Sequence, residues 1–153
     1  MSEPAIVLCP GQGAQAVGMG RAWADASSVA RETFQAADKI LAGELGAPLS
    51  ALCFDGPAET LNRTDVSQPA IYVCSIASWR GMVDLNGQTP LRATAGLSLG
   101  EYTALHLAGV LGFEEGLKLV TLRGRAMQDA AEATPGGMLA LIGCDEDQAN
   151  QVC

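Results

Sequence analysis

An α/β fold built on a parallel sheet is what this sequence predicts, and three observations predict it. Short apolar runs alternate with helix-length amphipathic stretches, and Gly or Pro punctuates the junctions between them. The chain is also rich in Ala and Gly, with 48% hydrophobic but only 5% aromatic residues. Strand and helix in alternation mark a parallel sheet covered by helices, and small side chains let those helices pack closely. At 153 residues the chain holds one domain with a real core and is too short for two ordinary ones.

The first element is the apolar run Ala5-Ile6-Val7-Leu8-Cys9, a buried strand ended by Pro10-Gly11. A Gly-rich segment, Pro10 to Gly20, leads into a helix that puts Ala30, Phe34, Ala37 and Leu41 on one face. Gly46-Ala47-Pro48 breaks it. Asp55-Gly56-Pro57 starts another helix with proline in its first turn, and Gln68-Pro69 repeats the device before a helix from Ala70 to Val83. Leu85 to Pro90 is a loop, and Arg92 to Gly96 is a small-residue strand that ends at Ser98. A helix from Gly100 to Leu111 is closed by Gly112, and Glu114 to Ala131 forms a further amphipathic helix.

Thr134-Pro135-Gly136-Gly137 is the one boundary signal, and it divides the chain into 1–135 and 136–153. Beyond it, Met138 to Ile142 reads as a new strand, and Asp145 with Gln148 three positions on reads as a capping-box helix start. The chain stops at Cys153, before that helix has had length to bury an apolar face. The expectation is therefore the N-terminal part of a longer protein.

A net charge of −8 with nine scattered Lys and Arg argues against a general nucleic-acid binder, because neutralising phosphates takes clustered cations. Met1-Ser2-Glu3-Pro4 is not the basic start of a signal peptide, and no apolar run is long enough to span a bilayer. Cys9, Cys53, Cys74, Cys144 and Cys153 are odd in number, form no C-x-x-C pair and have no histidine at metal-ligand spacing. Reduced thiols, a cytoplasmic location and no bound metal are the expectation.

Chemistry concentrates in ATAGLSLGEY, Ala93 to Tyr102, where Gly96-Leu97-Ser98-Leu99-Gly100 is a G-x-S-x-G pentapeptide between a predicted strand and a predicted helix. That pattern holds a serine in a strained turn, with glycines where side chains would collide with the packed strand and helix. The N–H of Leu99 then lies at a helix N-terminus, where it can donate to a developing oxyanion. In a chain with 18 glycines the pentapeptide also arises by chance. Pro10-Gly11-Gln12-Gly13-Ala14-Gln15 is a second observation, since it sits at a strand C-terminus, the end that lines a ligand crevice. It fails G-x-G-x-x-G and lacks Gly-Lys-Ser/Thr, so presenting backbone N–H groups suits it better than cradling a phosphate.

A serine of this kind needs a base, and His106 is the only histidine. Eight positions along one helix is about 12 Å at roughly 1.5 Å per residue. A direct hydrogen bond needs about 3 Å, so His106 is excluded as that base.

Taken together and in order, PGQGAQAVGMG (Pro10 to Gly20), GPAETLNRT (Gly56 to Thr64), SQPAIY (Ser67 to Tyr72), GLSLGEYTAL (Gly96 to Leu105) and LRGRAMQDA (Leu122 to Ala130) resemble the malonyl-CoA:acyl carrier protein transacylases and related acyltransferase domains of fatty acid and polyketide synthases. The resemblance covers nearly the whole chain. It implies that Ser98 is the acylated nucleophile and that the backbone N–H groups of Gln12 and Leu99 form the oxyanion hole. It further implies that Arg123 pairs with the free carboxylate of the malonyl group and that Gln68 lies near that pocket. From spacing alone, Arg123 reads as a helix-surface arginine.

The resemblance also implies a hydrolase-like α/β core, with a ferredoxin-like subdomain inserted after its first part and beginning in 136–153. Malonyl-CoA and acyl carrier protein become the expected partners, with coenzyme A entering only as the substrate's thioester and no resident cofactor. Fatty acid synthesis is the expected setting. Two departures stand out: Leu97 occupies the place usual for histidine in the family's G-H-S-x-G, and the activating histidine of the family lies beyond Cys153. A serine hydrolase with the same elbow, and a fragment that only binds a carrier protein, remain the rival readings.

Overall fold

The computed structural model describes residues 4–134, 136 and 141–152. In chain order the elements are β1 (Ala5–Cys9), α1 (Arg21–Ala26), α2 (Ser28–Ile40), α3 (Leu49–Asp55), α4 (Ala58–Leu61), α5 (Thr64–Asn86), β2 (Leu91–Gly96), α6 (Leu99–Leu107), α7 (Phe113–Ala133) and α8 (Glu146–Val152). The strands β1 and β2 form a two-stranded parallel sheet, with Ile6 opposite Ala93, Leu8 opposite Ala95 and Cys9 opposite Gly96. The predicted α/β class with parallel pairing is therefore what the chain adopts.

α5 is the centre of the molecule. Val66, Ala70, Ile71, Tyr72, Val73, Ile76 and Ala77 are all buried, so the helix is apolar around most of its circumference, as a helix enclosed by others must be. The predicted face of α2, Ala30, Phe34 and Ala37 with Leu41 just past its end, packs into the same core. Leu49 and Leu52 of α3 and Leu117 and Val120 of α7 close it. Each fully buried side chain of Leu or Phe size contributes about 1.5–3 kcal/mol relative to exposure.

Two helix boundaries depart furthest from the sequence expectation. α5 begins at Thr64, so Pro69 lies inside the helix instead of in its first turn. A proline there forfeits one intrahelical bond, while α7 supplies an acceptor for the free N–H at the start of the helix. The Thr64 N–H donates to Gln128 Oε1 at 3.0 Å, and α7 approaches so closely at Gly124 that a Cβ there would stand 2.8 Å from the Thr64 carbonyl oxygen. α6 ends at Leu107, ahead of the predicted Leu111, because Gly109 takes φ +77°. Its N–H donates to the His106 carbonyl and the Val110 N–H to the Leu105 carbonyl, both at 2.9 Å, the paired bonds of a Schellman cap. Pro57 immediately precedes the short α4.

The capping box before α8 forms as predicted. Asp145 N–H donates to Gln148 Oε1 at 3.1 Å, and Gln148 N–H donates to Asp145 Oδ1 at 2.8 Å. Of the strand expected at Met138 to Ile142, residues 138–140 lie outside the described residues, and Leu141 and Ile142 are not in a strand. Cys9, Cys53, Cys74 and Cys144 are free thiols. Among the described residues no helix is long and apolar enough to cross a membrane, and no acidic, Cys or His cluster could hold a metal ion.

One face of the sheet is bare. Ile6 and Leu8 are 64% and 77% exposed, whereas Cys9 is buried. A cleft of about 580 Å³ runs beside β1, lined by Trp23, Trp79, Met82 and Leu107 among others. The buried Thr103 hydroxyl at its margin has no partner among the described residues.

Candidate active site

β2 ends at Gly96, α6 starts at Leu99, and the turn between them forces Ser98 to φ 56°, the one positive φ at a non-glycine among the described residues. This costs backbone energy that the surrounding packing must hold in place. The flanking glycines explain how. A Cβ at Gly96 would overlap the backbone of Gly100, and a Cβ at Gly100 would overlap the carbonyl of Cys9 at the end of β1. The turn thus presses strand and helix together, and the serine points out, exposed.

The N–H groups of this turn are mostly spoken for. Ser98 N–H donates to Glu101 Oε1 at 3.1 Å, and Gly100 N–H to the Leu97 carbonyl at 2.9 Å. The N–H of Leu99, first residue of α6, has no acceptor among the described residues, and neither has that of Gln12. Glu101, three residues after Ser98, is a capping-box signal that the motif reading passed over.

Arg123 reaches this turn from α7. Its Nη2 donates to Ser98 Oγ at 2.9 Å and its Nη1 to Gln68 Oε1 at 2.7 Å. Gln68 is fully buried on α5, and its amide nitrogen also donates to Met127 Sδ at 3.2 Å. The guanidinium lies 5.9 Å from the Tyr102 ring centroid, within cation–π range. Ser98, Gln68 and Arg123 therefore meet through one guanidinium. Tyr102 belongs to the same group; its position one helical turn past Ser98 was the signal available for it.

Gln12 sits in the loop after β1. A Cβ at the adjacent Gly11 would lie 2.9 Å from the Leu97 carbonyl oxygen, which brings this loop against the serine turn. Gln12 Nε2 donates to Thr64 Oγ1 at 3.2 Å, and Gln15 Nε2 to Asn62 Oδ1 at 3.0 Å, so the loop is tied to the start of α5 and to the end of α4. Leu97 is 79% exposed beside the serine.

His106 is committed elsewhere. Its Nδ1–H donates to the Leu111 carbonyl at 2.9 Å, which leaves Nε2 to accept from Arg80 Nη2 at 3.4 Å. Burial holds its pKa below the usual 6.5; the Leu111 carbonyl opposes that shift and the Arg80 charge adds to it. The exclusion of His106 by helical distance agrees with this pairing.

A serine at a strained strand-to-helix turn of a parallel α/β sheet, with a guanidinium on its oxygen, defines a candidate nucleophile site of the elbow class. The chain belongs to the acyl transferase domain family, whose pattern matches residues 6–153. It is 43% identical to the malonyl CoA-acyl carrier protein transacylase of Salmonella typhimurium over 153 residues, covering 100% of this chain and 48% of that protein. Its fold is similar to the malonyl CoA-acyl carrier protein transacylase of Coxiella burnetii, with TM-score 0.82, 39% identity and coverage of 100% of this chain and 47% of that one. It is also similar, at TM-score 0.73 and 44% identity over 89% of this chain and 41% of that chain, to a malonyl-transacylase solved in complex with a type II PKS acyl-carrier protein. The chain spans about half the length of the curated relatives of bacterial origin that it matches, such as the 48% of the Salmonella protein.

Proposed function

We propose that this chain is the nucleophile-bearing, N-terminal part of a malonyl-CoA:acyl carrier protein transacylase that serves fatty acid synthesis. The contact of Arg123 with Ser98 Oγ carries the proposal, because a fixed cation beside the nucleophile suits an acyl group that ends in a carboxylate. The names of the relatives and the carrier-protein complex of one of them support the same substrates.

In this reading Ser98 Oγ attacks the thioester carbonyl of malonyl-CoA. Oxyanion charge rests on the N–H groups of Gln12 and Leu99, the C–S bond breaks, and the coenzyme A thiolate takes up the serine proton. The pantetheine thiol of acyl carrier protein then attacks malonyl-Ser98, and the serine regains its proton as the new thioester forms. A histidine beyond Cys153 moves the proton in both halves. Arg123 grips the malonyl carboxylate, held in orientation by Gln68. Neither step requires a metal or a resident cofactor.

Residues 1–135 would supply the first part of a hydrolase-like core and 136–153 the start of a ferredoxin-like insert. The bare face bearing Ile6 and Leu8 supports an incomplete sheet, since parallel sheets are normally covered on both faces.

The test is mass spectrometry of the full-length protein after incubation with malonyl-CoA. A malonyl adduct on Ser98 that acyl carrier protein discharges supports the transferase. An adduct lost to water with the carrier protein ignored would identify a hydrolase, and no adduct would leave a binding module.

A further inference from the structure

Thr64 stands where three parts of the site meet. It is the first residue of α5, one turn before Gln68 on the same helix. Its hydroxyl accepts from Gln12 Nε2 at 3.2 Å, its N–H donates to Gln128 Oε1 at 3.0 Å, and its carbonyl oxygen lies against Gly124 of α7. Arg123 is the neighbour of Gly124 and five residues before Gln128 on that helix. Thr64 thus joins the loop that carries the Gln12 N–H to both α5 and α7. Gln12 is itself exposed and the loop has no regular secondary structure, so two side-chain bonds hold it here, Gln15 to Asn62 and Gln12 to Thr64, and only the second is made by Gln12 itself.

We propose that Thr64 is a positioning residue for acyl transfer: its hydroxyl holds the Gln12 side chain so that the Gln12 backbone N–H faces the carbonyl that Ser98 attacks. This rests on the acyl-transfer reading above. A preorganised donor acts only when aimed where charge develops, so a small loss of aim is expressed in the chemical step and not in ground-state binding.

The experiment uses the full-length protein and the rate of Ser98 acylation by malonyl-CoA, read by rapid quench. Thr64→Val keeps the branched shape and the backbone bond to Gln128 but removes the acceptor. Its acylation rate constant should fall about tenfold or more, with KM changed less than about twofold. Thr64→Ser should restore the rate to within about threefold of wild type, and Gln12→Met, which removes the same bond from the other end and keeps the backbone N–H, should match Thr64→Val. The double variant should be no slower than either single one, since one bond is lost in all three.

Acylation by Thr64→Val at the wild-type rate, while Arg123→Ala still loses malonyl loading, overturns the role of Thr64 and leaves the acyl-transfer reading standing. Failure of Thr64→Ser to rescue, a rise in KM at unchanged kcat, or additive losses in the double variant also overturn it. A wild-type protein that forms no adduct overturns both readings together.

Discussion

Arg123 Nη2 lies 2.9 Å from Ser98 Oγ across 25 residues of sequence, and the same guanidinium reaches Gln68 Oε1 at 2.7 Å. Two helices and a strand-to-helix turn have to be in register for one side chain to make both bonds. The planar fork of arginine fits this geometry, and the point charge of lysine does not.

Replacing Arg123 by alanine in the full-length protein should therefore lower kcat/KM for malonyl-CoA by about tenfold to a hundredfold, the range for losing a hydrogen-bonded partner of a charged group. Arg123→Lys should recover only a small part of this. Loading of acetyl-CoA, which has no carboxylate to hold, should not fall. Steady-state assays with both thioesters check it, and an equal loss for the two would remove the carboxylate role.

Gly100→Ala tests the elbow. The added methyl would meet the Cys9 carbonyl, which is backbone and cannot swing aside, so β1 and α6 must separate. A loss of about 1–3 kcal/mol is expected from such overpacking, seen as a lower urea midpoint at unchanged slope. A midpoint equal to wild type would mean that the turn is looser than its packing indicates.

His106 should make stability depend on pH. Its folded pKa lies below the usual 6.5, so as pH falls the unfolded chain takes up the proton first. The stabilisation is fully present above about 6.5 and is lost as pH falls from there through the folded value. Urea midpoints between about pH 7.5 and 5 should decline for wild type and decline less for His106→Asn, which retains a donor for the Leu111 carbonyl. A wild-type decline matched by the variant would assign the effect to other groups.

The exposed pair Ile6 and Leu8, 64% and 77% accessible, should make the 153-residue chain bind the dye ANS and self-associate. Leu8→Lys should reduce both, measured by dye fluorescence and sedimentation. The chain alone should also show little or no malonyl transfer, since the base histidine is expected beyond Cys153.

Much of the fold was legible in the sequence because its signals are local. β1, the buried face of α2, β2 and the capping box of α8 follow from apolar periodicity and from turn and cap residues, which act over a few positions. Where a boundary depended on distant partners, the local signal misled. Pro69 reads as a helix start, yet α7 holds one more turn in front of it through Gln128 and Gly124. At the end of α6 the stop expected at Gly112 falls three residues earlier, at Gly109, whose positive φ closes the helix.

The site divides in the same way. By itself the sequence determined the strained serine turn, since Gly96, Ser98 and Gly100 are neighbours in the chain and their steric demands are local. It also excluded His106, because helix rise fixes that distance. Only the tertiary structure decided that Arg123, a surface arginine by spacing alone, reaches Ser98, that Gln68 holds it, and that Thr64 ties the Gln12 loop to the start of α5. Those contacts join residues tens of positions apart, and their distances are set by how α5, α6 and α7 pack, which no local pattern in the chain encodes.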